Sequence, residues 1–184
     1  MRTILVLLAI LAALSLARRL LGGLIQRSAG WKRDAAAGAI AGPLLASGFQ
    51  DAGTQRMREI PGTLRLLVHP EDALCAVIHM HPRAGPRLDL VSRYRNGTSV
   101  TFTTSKSNGL DPRPGHPIVN APGASPLALL ARARSERPGG ALRPVVAEIA
   151  AGDLEEDVAE WFEWRRTHAA SPRPVAETAR TEAA

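Results

Sequence analysis

Leu74-Cys75-Ala76-Val77-Ile78-His79-Met80-His81 decides the fold. Leu74, Ala76, Ile78 and Met80 occupy every second position, and Cys75, Val77, His79 and His81 fill the alternate ones. Residues two apart on a strand share a face, so this period marks a strand buried on at least one side. The pattern continues on both sides. Leu64, Leu66 and Val68 alternate with Thr63, Arg65 and Leu67. Leu88, Leu90 and Tyr94 alternate with Arg87, Asp89, Val91, Arg93 and Arg95, and Val100 and Phe102 with Thr101 and Thr103. The separators are His69-Pro70-Glu71-Asp72, Pro82-Arg83-Ala84-Gly85-Pro86 and Asn96-Gly97. All are turn chemistry, and Asn-Gly predicts a type I′ hairpin. Separators this short force antiparallel neighbours. The expectation is a four-stranded antiparallel meander with one aliphatic face and one Arg/His/Thr face.

Helices follow the meander. Ser125-Pro126 places an N-cap before a proline at the first helical position, and the helix should run to about Glu136 before Pro138-Gly139-Gly140. Beyond Pro144, Val145, Val146 and Ile149 begin another helical stretch. Gly152-Asp153 reads as a break, with Asp153 capping a new helix and Glu156 completing a capping box. Leu154, Val158, Trp161, Phe162 and Arg165 then share one face, and Trp161 and Phe162 are expected to cover the sheet's aliphatic side. Ahead of the meander, Leu44, Leu45 and Phe49 suit a short amphipathic turn, and Gly53 to Arg58 reads as loop. Residues 105–124 read as a Pro/Gly-rich loop carrying His116, and loops of that length are often functional.

The N-terminus supplies an address. Residues 4–17 carry no charge, and as a helix they extend about 21 Å, short of a bilayer core of about 30 Å. Arg18, Arg19, Arg27, Lys32 and Arg33 crowd the far side. The positive-inside bias then favours a single-pass anchor through residues 4–17 with the following domain in the cytoplasm. The alternative is a signal peptide cleaved after Ala17, which would leave the domain periplasmic or secreted. The chain thus divides into an anchor or signal peptide (1–25), a basic and Ala/Gly-rich tether (26–43), a globular domain (44–168) and a disordered tail (169–184). The expected fold class is α+β: an N-terminal membrane helix, then the small four-stranded meander with two or three helices packed on one face.

Composition narrows the function classes. The 184 residues carry a formal charge of +6, and the sequence pI is about 10.8. The basic residues other than Lys32 and Lys106 are arginines spread along the chain. No aromatic residue projects from the polar sheet face, so base stacking has no platform and nucleic acid is not expected. Cys75 is the only cysteine, which excludes an internal disulfide and a cysteine-rich zinc site. Gly-x-Ser-x-Gly, P-loop, Gly-x-Gly-x-x-Gly and His-Glu-x-x-His motifs are all missing. His79 and His81 point to one face of their strand, but two imidazoles do not make a metal centre, and no cofactor is expected.

What remains is the polar face. Arg65, His79, His81, Arg87, Asp89 and Arg93 are the candidate ligand-binding residues, and together they suit an anion or an acidic protein partner. The expected function is a membrane-tethered, non-catalytic binding or accessory domain. One alternative is a small enzyme with its site near His79, His81, Asp89 and His116. The other is a peripheral domain that binds anionic lipid through Arg18 to Arg33.

Overall fold

The computed structural model describes residues 35–58, 60–82, 84–106 and 113–168. Helix α1 covers 35–46. Ala37, Ala41 and Leu44 recur at helical spacing, and all three are buried. The helix closes on itself: Ser47 N–H and Phe49 N–H both donate to the Leu44 carbonyl. Gly48 follows with φ +98, and a Cβ there would stand 2.9 Å from His69 Nε2. Only glycine fits both the conformation and the space.

Six strands follow: β1 (Gln50–Gln55), β2 (Thr63–His69), β3 (Leu74–His81), β4 (Gly85–Arg93), β5 (Ser99–Thr103) and β6 (Ile118–Asn120). They lie side by side in sequence order. The first five are antiparallel neighbours, and β6 runs parallel to β5. Helices α2 (Pro126–Glu136) and α3 (Ala147–His168) complete the domain. Ser125 caps α2, its side-chain oxygen accepting from Ala128 N–H, with Pro126 opening the helix.

The four expected strands are present, but the sheet is six-stranded and mixed, and both of its faces are covered. On one face α1 and α2 pack over Leu67, Leu74, Ala76, Ile78, Leu88, Leu90, Val100 and Phe102. On the other, Ala147, Ala150, Ala151 and Leu154 of α3 lie over Leu64, Leu66, Val68, Cys75 and Val77. The expectation of helices on one side fails at β2. Its apolar parity is the one that pairs with the polar parity of β3, because the register sets Leu64 against His79 and Arg65 against Ile78. Leu64, Leu66 and Val68 therefore share a face with Cys75 and Val77, not with Leu74 and Ile78. Alternation within β2 separates its two sides, but only the pairing across the turn after His69 says which side joins which face of β3.

Three local expectations also change. The β4–β5 reversal is not type I′, because Asn96 keeps a negative φ and only Gly97 is left-handed, at +81. Tyr94 N–H donates to Thr98 and Gly97 N–H to Tyr94, which gives a three-residue turn ending in a glycine bulge. Helix α3 is continuous through Gly152-Asp153. Asp153 is buried, and its carboxylate accepts from Arg93 and Arg143 instead of capping a helix. Residues 50–55 and 118–120 form the two edge strands, where Gly53 onward and the whole of 105–124 were expected as loop.

The single-pass membrane protein is corrected as well. Among the described residues no helix is long and apolar enough to cross a membrane. The segment 4–17, on which the anchor, its orientation and the cleavage after Ala17 rested, lies outside the described residues.

Candidate functional site

Helix α3 meets the sheet at β1 and β2. Its C-terminal half then passes over β3 to β6, where the sheet face becomes polar. The space beneath is a groove of about 830 Å³, within the range of small-molecule sites. Leu154, Val158, Trp161 and Phe162 form its α3 wall. Trp161 and Phe162 pack edge to face with centroids 4.5 Å apart. They were expected on the aliphatic face and instead look onto the polar one. Val77, Val91 and Ile118 supply apolar floor between the polar groups.

One polar group sits where β3, β4 and β5 meet. His79 Nε2 and Arg87 Nη2 each lie 3.0 Å from Asp89 Oδ2. Thr103 Oγ1 donates to the other carboxylate oxygen. The register explains the convergence, because His79 faces Arg87 and Asp89 faces Thr103 across adjacent strands. Burial alone would push the Asp89 carboxyl up. The His79 hydrogen bond and charge, with Arg87 and Thr103, outweigh it and hold the group below its ordinary value. Asp89 is thus an ionised, oriented carboxylate. Arg87 engages it through Nη2 alone, and Arg87 Nε has no partner among the described residues.

A second polar group lies further along β5. Ser99 Oγ and His116 Nδ1 are 2.8 Å apart. Ser99 N–H donates to the Gly115 carbonyl, which pins the His116 loop to the strand. Arg113 pairs with Glu160 of α3 at 3.2 Å. Burial and then Arg113 push the His116 imidazole below its ordinary value, against the pull of Asp157 and Glu160. Asp157 itself is raised by burial, with Arg93 and Arg113 opposing. From Thr103 to Ser99 the strand rises about 13 Å, so the two polar groups mark opposite ends of the groove.

Of the six candidate residues, His79, Arg87 and Asp89 come together. His81 lines the groove mouth, and its Nδ1 accepts from Ala84 N–H in the β3–β4 turn. Arg65 faces the other side of the sheet and pairs with Asp51 of β1 at 2.6 Å. Arg93 fastens α3: it donates to the Asp153 carboxylate at 3.0 Å and pairs with Asp157 at 2.5 Å. Cys75 is buried against α3, and burial pushes its thiol up to about 11, which leaves it inert. Ser99 escaped the sequence reading. Its only signal was parity, two residues ahead of Thr101 on the polar face. Nothing in the sequence returns His116 to that strand.

The class defined by this fold and groove is an α+β sandwich with a ligand-sized cleft between sheet and helix. No family model, no curated protein and no solved structure matches the chain.

Proposed function

We propose that this domain binds a small amphipathic organic anion, with an apolar body under Trp161 and Phe162 and an anionic group at Arg87. The observation that carries the reading is the contrast between the two walls of one groove. The helix side is aliphatic and aromatic, while the sheet side ends at the Arg87 guanidinium, whose side chain is 38% exposed. Arg87, Lys106, Arg113 and Arg165 outnumber the lining carboxylates Asp89 and Asp157, both of which already pair with arginines. A cleft of this size and concavity suits a small molecule better than the flat surface that a protein partner needs.

The test is a fluorescence titration of the protein with dodecanoate and with dodecan-1-ol, which share the apolar body and differ in the head. Saturable dodecanoate binding, at least tenfold tighter than the alcohol, is the expected result. Arg87→Ala should weaken dodecanoate by about 10- to 100-fold, the worth of a hydrogen bond to a charged group, and leave the alcohol unchanged. Equal affinity for the two ligands, or an Arg87→Ala variant that binds dodecanoate normally, would remove this reading.

A further inference from the structure

We propose that Ser99 and His116 form a nucleophile and base pair that hydrolyses esters held in this groove, the substrate being an acyl ester with an anionic group at its far end. The proposal rests on the groove as an anion-binding cleft and adds a reaction to it. Three observations converge. The hydroxyl and the imidazole nitrogen stand within one hydrogen bond, 2.8 Å, which is the separation that nucleophile activation needs. Both side chains line the groove, so an acyl chain lying under Trp161 and Phe162 brings its carbonyl to Ser99. The base is also embedded in charge of both signs. Arg113 stands beside it, and Asp157 and Glu160 act on it from α3. The carboxylates favour the imidazolium formed on proton transfer, as a buried aspartate does in hydrolase triads.

The chemistry balances without a further reagent. The Ser99 Oγ lone pair forms a bond to the ester carbonyl carbon while its proton passes to His116 Nδ1. The carbonyl re-forms, the carbon–alkoxy bond breaks, and the alcohol leaves with the proton from His116. Water then attacks the acyl-serine and gives its proton to His116. The Oγ–carbon bond breaks, Ser99 regains its proton, and a carboxylic acid is released. Arg87 sits on β4, and its guanidinium shares the Asp89 carboxylate with Thr103, about 13 Å along β5 from Ser99, which sets the substrate class: the scissile carbonyl and the anionic group sit at opposite ends of an apolar body.

The 4-nitrophenyl half-ester of decanedioic acid carries both ends and serves as the probe, with decanedioate itself as the binding ligand. The full chain should release nitrophenolate and show an acyl adduct on Ser99 by intact-mass and peptide analysis. Ser99→Ala should bind decanedioate as the native chain does and release nitrophenolate only at the background rate. His116→Gln should lose about 100-fold or more in rate while keeping its affinity. Arg87→Ala should raise KM and leave kcat. The native rate should fall as His116 protonates, below its ordinary value of 6.5. The groups facing it are Ser99 on β5, Arg113 on its own loop, and Asp157 and Glu160 on α3. Normal decanedioate binding without adduct or turnover overturns the catalytic pair and leaves the groove reading intact. Turnover that persists in Ser99→Ala overturns it too. Absence of binding in the native chain removes both readings at once.

Discussion

Asp89 shows how one side chain can be both structural and functional. It is almost fully buried, yet three donors from β3, β4 and β5 converge on it. Removing one member of a buried ionic group leaves the rest uncompensated, at a cost of about 3 to 5 kcal/mol. Asp89→Asn should lose stability of that order at pH 7, measured as a shift in the urea midpoint at unchanged m-value. The sign of the pH dependence follows from the depressed carboxyl. Its contribution is fully present above the ordinary value of 3.8 and is lost as pH falls through the lower folded value. The gap between the native protein and Asp89→Asn should therefore stay constant above pH 3.8 and narrow only as pH falls below it, and a gap that narrows already between pH 7 and pH 5 would contradict the assignment. This cluster was legible in the sequence, because His79, Arg87 and Asp89 fall on one parity of strands whose turns fix their pairing. Arg65 was not, since its side depends on the β2–β3 register, which sets it against Ile78 and Leu64 against His79; alternation within one strand cannot say which face of the sheet each parity joins.

Among the elements, α3 matters most, and its placement was the least legible. Its helical pattern was plain, and so was the pairing of early acids with late bases. The face it covers depends on Arg93, which reads as one more arginine on a polar strand. In the fold Arg93 reaches two carboxylates on successive turns of α3, Asp153 and Asp157. Gly152-Asp153 reads as a helix break for the same reason: the partner that holds Asp153 sits on β4, far away in sequence. The edge strands escaped notice for a different cause. Residues 50–55 are mostly polar, with a bulge between Asp51 and Gly53, and residues 118–120 are too few to show a period. Replacing Arg93 by Met keeps the packing and removes the charge. It should cost about 3 to 5 kcal/mol at pH 7. Hydrogen exchange should then quicken first in α3, while α2 stays protected. Asp157 fixes the direction with pH. Its folded value is already above the ordinary 3.8, so neutralising it relieves the strain. Arg93→Met should therefore be closer to native stability at pH 4 than at pH 7. A loss spread evenly over all helices and independent of pH would mean that Arg93 does not hold α3.

At the scale of the whole molecule, the sheet divides its labour along its length. Under the N-terminal half of α3 its outer face is aliphatic and closed; under the C-terminal half it is polar and open. The opposite face, beneath α1 and α2, is continuous core from Leu67 to Phe102. A rigid sheet thus carries both polar groups of the groove, and only the α3 wall closes from above. Ligand binding should then stabilise the domain as a unit. At a dodecanoate concentration 100 times its Kd, mass action adds about 2.7 kcal/mol to the native state. For a domain of this size that corresponds to about 8 to 10 °C in Tm. Arg87→Ala weakens binding by about 10- to 100-fold, so at the same concentration only about 0.4 to 1.4 kcal/mol remains, or about 1 to 5 °C. The unliganded Tm of the two proteins must be measured alongside, because Arg87 also pairs with Asp89 and its loss lowers the starting point. The comparison is therefore between ligand-induced shifts and not between absolute temperatures. Dodecan-1-ol supplies the second control, since its small shift should be the same in both proteins. A dodecanoate shift equal in the native protein and in Arg87→Ala would place the anionic group away from β4 and take the groove's polar end with it.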